Sequence, residues 1–305
     1  MTGDRTLERP AADRDHDQDH DLDMDTTIQG TRSRVERWKR GGETVGFVPT
    51  MGALHAGHAS LIARSVAEND HTVVSIFVNP TQFGPQEDLA QYPRTFDDDL
   101  MTCRRAGADL VFAPTTDEMY RGQDTTRVRV GAVATPLCGK RRPGHFDGVA
   151  TVVTKLFNIV PATRAYFGQK DAQQLLVIKQ MVEDLDIPVE VVPCPIVRES
   201  DGLAMSSRNA YLTSEERGAA LCLSRALNVI EEAHQSGEHR VRVLRRLGLR
   251  VIRSEPLARL DYLEILNARD LSRVETVDRE VLVALAVHFG ACRLIDNRRL
   301  EAFHP

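Results

Sequence analysis

The chain has 305 residues, 42% hydrophobic and 27% charged, with a net charge of −5, enough for one large or two ordinary packed domains. No basic stripe is long enough to hold a nucleic acid, no apolar run approaches the roughly 20 residues of a membrane span, and no signal-peptide core follows Met1. The five cysteines, Cys103, Cys138, Cys194, Cys222 and Cys292, are scattered and form no C-x-x-C pair, so reduced thiols in a cytoplasm are expected, with neither zinc nor a disulfide framework.

Residues 1–30 stand apart. Aspartate fills every odd position from 13 to 25, and such a stretch has too little apolar surface to offset the entropy of ordering. A disordered acidic tail is expected, with weak metal capture by its Asp/His mixture as the alternative. From Thr31 strands and helices alternate. Residues 44–48 read as a short strand, 58–69 have helical spacing, and 72–78 form a β-branched run without turn residues, as in a buried strand. Pro80, Gly84 and Pro85 break that run into a loop. Helical patterns over 95–106, 151–159 and 172–182 then alternate with strands at 109–112, 127–130, 165–167, 189–192 and 196–197. This order predicts an α/β fold over 31–197, a Rossmann-like parallel sheet with helices on both faces and ligands outside the carboxyl ends of the strands.

The pattern changes after residue 198. Thr213 and Glu216 have capping-box spacing at the head of one long amphipathic helix, 214–235. A second helical pattern covers 240–253. Strands at 260–266, 281–288 and 292–295 are close enough to pair antiparallel. A smaller C-terminal α+β domain over 198–305, able to close on the first, is expected.

Three clusters carry chemistry. The first is Met51-Gly52-Ala53-Leu54-His55-Ala56-Gly57-His58, where a strand leaves through a glycine-bearing turn into a helix. Backbone N–H groups and the positive helix end make that a phosphate site, and the two imidazoles share one face of the first turn. His55 and His58 are expected to donate to phosphate oxygens as charge grows on a leaving pyrophosphate. The bland alternative is ordinary half-buried histidines; zinc lacks a third ligand. The second cluster is Gly168-Gln169-Lys170-Asp171, again at a strand exit, with Asp171 suited to N-cap the next helix and Gln174 one turn on. The third is Met205-Ser206-Ser207-Arg208, two hydroxyls and a guanidinium fork in a loop at the domain seam.

His55-Ala56-Gly57-His58 resembles the HxGH signature of the superfamily that holds nucleotidylyltransferases and class I aminoacyl-tRNA synthetases, and 205–208 takes the place of its second loop. The likeness to the pantothenate synthetase family is closer. It rests on Val48-Pro49-Thr50-Met51-Gly52-Ala53-Leu54-His55, Phe77-Val78-Asn79-Pro80-Thr81-Gln82-Phe83, Tyr92-Pro93-Arg94-Thr95, Gly144-His145-Phe146-Asp147-Gly148-Val149, Tyr166-Phe167-Gly168-Gln169-Lys170-Asp171 and Leu203-Ala204-Met205-Ser206-Ser207-Arg208-Asn209, in that order. It spans about residues 31–298 and ends in Arg293-Leu294-Ile295-Asp296-Asn297.

The resemblance implies ATP-dependent condensation of pantoate with β-alanine through a pantoyl-adenylate, releasing AMP and pyrophosphate. It implies that residues 51–58, 168–171, Val197 and 205–208 hold ATP, with His58 the candidate acid and His55 its partner. Gln82 and Gln174 would hold pantoate, with Asn79 and Tyr92 near that pocket. Asp98 would help hold Mg²⁺, the alternative being an acidic helix start that complements the dipole. A homodimer is implied as well. Position 56 is commonly acidic in the family; Ala56 is expected to face outward and leave the chemistry unchanged. Two other readings stay open: a nucleotidylyltransferase that keeps the adenylate as product, and a non-catalytic nucleotide sensor.

Overall fold

The computed structural model describes residues 22–303 apart from Gln86 and Gln123. β1 (Asp23–Asp25) leads into α1 (Ile28–Arg40), then β2 (Val45–Thr50), α2 (Ala56–Glu68), β3 (His71–Ile76), α3 (Phe96–Arg105) and β4 (Leu110–Phe112). The short helices α4 (Thr116–Met119) and α5 (Leu137–Arg141) precede α6 (His145–Ile159), β5 (Arg164–Gly168), α7 (Ala172–Asp184) and β6 (Glu190–Cys194). These strands form one parallel sheet in the order β1-β4-β3-β2-β5-β6.

The inner strands are apolar on both sides because helices cover both faces. Phe47 and Val73 enter one buried cluster with Val153 and Phe157 of α6, while Val48 and Val74 enter another with Leu61 and Ile62 of α2. At Gly46 a Cβ would lie 2.0 Å from Ser65 Oγ of α2, so the helix lies against β2 only because that residue is glycine. From β2 the chain winds outward to β3 and β4, then returns through α6 to β5 on the other side of β2. The winding therefore reverses between β2 and β5, and their carboxyl ends open a crevice. The first two of the three clusters above sit at those two strand ends.

The C-terminal part holds α8 (Ser214–Ala219), α9 (Cys222–Gln235), α10 (Val241–Arg253), β7 (Arg259–Asn267), β8 (Val281–Phe289) and β9 (Cys292–Leu300). The last three pair antiparallel in the order β7-β8-β9. β8 is apolar throughout because it is buried on both sides. Val281, Val283, Leu285 and Val287 join α9 and α10, whereas Leu282, Ala284 and Ala286 join the cluster that holds Leu137 and Phe146. The small sheet thus packs on helices that flank the large one, α5 and α6, through a shared apolar layer. The capping box of Thr213 and Glu216 is formed.

Four expectations need correction. Residues 23–30 are not tail: β1 pairs parallel with β4, and Arg34 ion-pairs with Asp23 and Asp25. Backbone pairing and arginine neutralisation offset the poor apolar content of that stretch; residues 1–21 lie outside the described residues. Residues 127–130 and 196–197 have no strand pairing. The long helix is broken at Ala220–Leu221, where Leu221 N reaches Gly218 O, three residues back, and Leu223 N reaches Ala220 O. Among the described residues no helix is long and apolar enough to cross a membrane, and all five cysteines are buried and unpaired.

Candidate active site

β2 ends at Thr50, and the chain turns through Gly52 and Ala53, both left-handed at φ 83° and 51°. Glycine adopts that conformation freely, but alanine has to be held in it. Asp99 of α3, 2% exposed, holds it. Its carboxylate accepts from Ala53 N at 3.0 Å, Leu54 N at 2.8 Å and the Thr95 hydroxyl at 3.2 Å. Asp98, expected at a metal, is exposed on the first turn of α3 and does not line the cleft. Successive helical residues point about 100° apart, so only one of the two carboxylates reaches the loop. Among the described residues no cluster of three or more His, Cys, Asp or Glu side chains could hold a metal.

His55 is the N-cap of α2, and its Nδ1 accepts from Gly57 N at 3.1 Å; His58, at the third helical position, accepts through Nδ1 from His55 N at 3.3 Å. This is a capping box built from imidazoles. Gly57 allows it, because a Cβ there would lie 2.8 Å from His55 Cε1. Backbone N–H groups only donate, so each neutral ring carries its proton on Nε2. The rings lie 4.2 Å apart and both line the cleft. Burial, and then Lys170, lowers His55 to about 4; burial, His55 and Lys170 lower His58 to about 3. At neutral pH the pair is therefore two neutral donors.

This has a consequence for stability. The native values lie below the ordinary 6.5, so the unfolded chain takes up protons first as pH falls. The stability contributed is complete above about pH 6.5 and is lost on the way down to about 4 for His55 and about 3 for His58. Denaturant midpoints should fall between pH 7 and 5, and nitrogen-15 spectra at pH 6 should show both rings neutral with the proton on Nε2.

β5 delivers the second cluster. Gly168, Lys170, Asp171 and Gln174 line the same cleft as the histidines. Lys170 Nζ lies 3.3 Å from Asp171 Oδ2. Burial opposes ionisation of Asp171, but Lys170 and then Arg208 hold its carboxyl below the usual range. Asp171 occupies the N-cap position of α7 without a side-chain cap bond, because its carboxylate is turned to Lys170. Gln169 does not line the cleft; it gives its backbone carbonyl to Asn297 at 2.9 Å.

Val197, Met205, Ser206, Ser207 and Arg208 complete the wall. Val197 O accepts from Met205 N at 3.0 Å, which closes a hairpin under the Ser-Ser-Arg turn. Arg208 is engaged by Asp88, with Nε and Nη2 at 3.0 and 3.1 Å from the carboxylate. Tyr92 lines the cleft with its hydroxyl 3.5 Å from Ser207 Oγ.

Met51, Asn79 and Gln82 line the cleft as well. Asn79, 1% exposed, is fixed by Tyr120 OH, which donates to its Oδ1 at 2.7 Å. Its amide donates to Gln82 Oε1 at 3.0 Å, so Gln82 must turn Nε2 toward Met51 Sδ, also 3.0 Å away. Sulfur is a weak acceptor, which a ligand oxygen can displace. His145 donates from Nδ1 to Gln82 O at 2.9 Å while Arg142 donates to its Nε2 at 3.0 Å. Gly148 lets α6 meet this turn: a Cβ would lie 2.3 Å from Thr81 O and 2.7 Å from Gln82 Cα. Overpacking of this kind costs about 1–3 kcal/mol. Gly148→Ala should therefore displace the Gln82 turn and raise the KM for any ligand bound there roughly tenfold, as initial rates of the variant and wild type will show.

Gly52, Ala53, Leu54 and Ala56 do not line the cleft; they shape it, and Ala56 is exposed as expected. Asp99, Asp88, Tyr120 and the close approach at Gly148 were not assigned from sequence. Only Gly148 lay in a quoted motif; the others act through contacts distant in the chain.

The family model described as Pantoate-beta-alanine ligase matches residues 23–299. The chain belongs to the pantoate–β-alanine ligase family. Pantothenate synthetase of Caldicellulosiruptor saccharolyticus is 54% identical over 274 residues, covering 90% of this chain and 98% of that one. That of Clostridium botulinum is 50% identical over 271 residues, 89% and 96%. The crystal structure of pantothenate synthetase from Thermus thermophilus superposes with a TM-score of 0.87 at 46% identity, covering 92% of this chain and all of that one. A Francisella tularensis pantoate–β-alanine ligase, solved with β-γ ATP and β-alanine, gives 0.76 at 33% identity, covering 91% and 97%. As a ligase of this family, the enzyme joins pantoate to β-alanine.

Proposed function

We propose that one cleft runs the ligation in two steps and that the switch-point crevice between β2 and β5 holds ATP. The pantoate carboxylate attacks the α-phosphorus, and the bond to the bridging oxygen of pyrophosphate breaks. The β-alanine amine, once deprotonated, then attacks the acyl carbon of the adenylate, and AMP leaves with the C–O electron pair. The observation that carries this reading is the convergence of two Nε2–H donors, Lys170 and the 206–208 turn on one cleft that Gln82 also lines. Pyrophosphate departs as charge accumulates, and preorganised donors stabilise that charge without reorganising.

His55, His58, Lys170 and Arg208 serve the phosphates; Met51, Val197 and Met205 border the nucleotide. Gln82 and Gln174 hold pantoate, with Asn79 orienting Gln82 and Tyr92 beside the pocket. His58 acts as a neutral hydrogen-bond donor rather than an imidazolium acid, given its lowered pKa of about 3. Mg²⁺ would accompany ATP as the counter-ion of its phosphates. The donor set fits no protein-built cage, since no three-residue cluster exists among the described residues. The C-terminal sheet shields the mixed anhydride from water.

We also infer a cytoplasmic homodimer. The five unpaired cysteines accord with a reducing compartment. Residues 126–130 accord with a partner: β-branched and arginine residues alternate there without strand pairing, a form suited to an edge contact.

An assay of AMP release with ATP, pantoate and β-alanine, omitting each in turn, tests the reading. AMP should require all three. A stable adenylated product formed without AMP would support a nucleotidylyltransferase instead.

A further inference from the structure

Asp296 and Asn297 are consecutive residues of β9, and both are buried, at 2% and 6% exposure. Neighbours on a strand point to opposite faces, so this strand carries a polar group into each side. Such groups need partners, and the partners are informative. Asn297 Nδ2 donates to Gln169 O and to Lys170 O, both at 2.9 Å. Asp296 accepts from Arg198 Nη1 and Nη2 at 2.7 and 2.9 Å, and from Asn297 N at 2.7 Å. Arg198 also donates to Gly202 O at 2.9 Å and bridges antiparallel to Ala204. It therefore braces the hairpin whose end carries Met205, Ser206, Ser207 and Arg208.

Neither Asp296 nor Asn297 lines the cleft that contains the histidines. They border an adjoining cavity with Lys170 and Arg208; Asn297 holds the main chain of one loop directly, and Asp296 holds that of the other through Arg198. The strands that lead into them, β5 and β6, are paired as far as Gly168 and Cys194, and beyond that point the two loops share no ladder. We propose that Asp296 and Asn297 are positioning residues for adenylation, Asn297 setting the main chain of Lys170 and Asp296 the base of the 205–208 turn. This rests on the reading that Lys170 faces the departing phosphates. The C-terminal sheet is then a template that registers both loops as well as a cover. Misplacement of a reacting group by about 1 Å can cost on the order of 10²-fold in rate.

The test is a double-mutant cycle on full-length protein, scored by pantoate-dependent pyrophosphate release. Asn297→Ala should lower kcat about 10- to 10²-fold, on that misplacement scale, with the pantoate KM changed less, because the Asn297 contacts end on the main chain of Gln169 and Lys170. In a Lys170→Ala background the same change should add little, since its target is already gone. A purely structural role would make the two losses multiply. Full multiplicativity, or Asn297→Ala at wild-type rate, overturns the proposal while leaving the site reading intact. Lys170→Ala at wild-type rate overturns the site reading and this inference with it. If Asn297→Ala does not yield folded protein by thermal melt, Asn297→Ser carries the same cycle, its hydroxyl being too short to reach both carbonyls.

Discussion

Lys170→Ala is expected to slow formation of the pantoyl-adenylate at least ~10²-fold, the scale of losing one preorganised contact to a charge that develops in the transition state. Lys170 sits where β5 ends, at the point where the sheet's winding reverses, and lines the cleft with His55 and His58. It is the less tightly held cation of the wall, with one contact to Asp171 at 3.3 Å where Arg208 is gripped twice by Asp88. It also contributes, after burial, to keeping both imidazoles neutral. Removing it should therefore raise both histidine pKa values while the rate falls. Single-turnover pyrophosphate release and imidazole titration in the same variant read the two effects separately. A variant within a few-fold of wild type would return Lys170 to the status of a surface residue paired with Asp171.

Asp99→Asn should be nearly as damaging, for a different reason. The carboxylate accepts two backbone N–H groups and one hydroxyl in a buried site. An asparagine of the same shape offers one acceptor oxygen and presents N–H hydrogens to the other donor. A hydrogen bond to a charged group contributes about 1.5–3 kcal/mol, and a buried donor left unpaired costs about 1–3. A loss of roughly 2–4 kcal/mol of stability is expected from those terms, read as a lower denaturant midpoint. The loop it frees holds Ala53 left-handed and ends at His55, so both imidazoles lose their fixed direction. Adenylation should fall about 10²-fold, the cost of misdirecting a preorganised donor. Asp98→Asn, one residue earlier on an exposed face, should leave the fold unchanged, so the pair isolates the buried carboxylate.

The parts legible in the sequence were those with local causes. β2, β3 and β5 announce themselves by apolar runs that stop at turn residues, and the histidine turn by its spacing. β1 was illegible because Asp-Met-Asp has no strand signal; its pairing with β4 and its arginine partner are both set by contacts outside the strand. Residues 127–130 erred the other way, carrying strand chemistry without a neighbour in the chain to pair with. Asp98 and Asp99 are indistinguishable as letters, and only the helix's rotation decides which faces the loop. Gln82 and Lys170, proposed to meet the substrates, follow strand exits that the sequence marks, and both line the cleft. Their supports, Tyr120 through Asn79 and Asn297 through the Lys170 carbonyl, act across 41 and 127 residues and leave no local trace.

If pantoate is activated on ATP before β-alanine is needed, isotope exchange between pyrophosphate and ATP reports it most directly. Exchange should require pantoate, proceed without β-alanine and be suppressed in Lys170→Ala. Exchange absent until β-alanine is added, with AMP still formed from all three substrates, would contradict it.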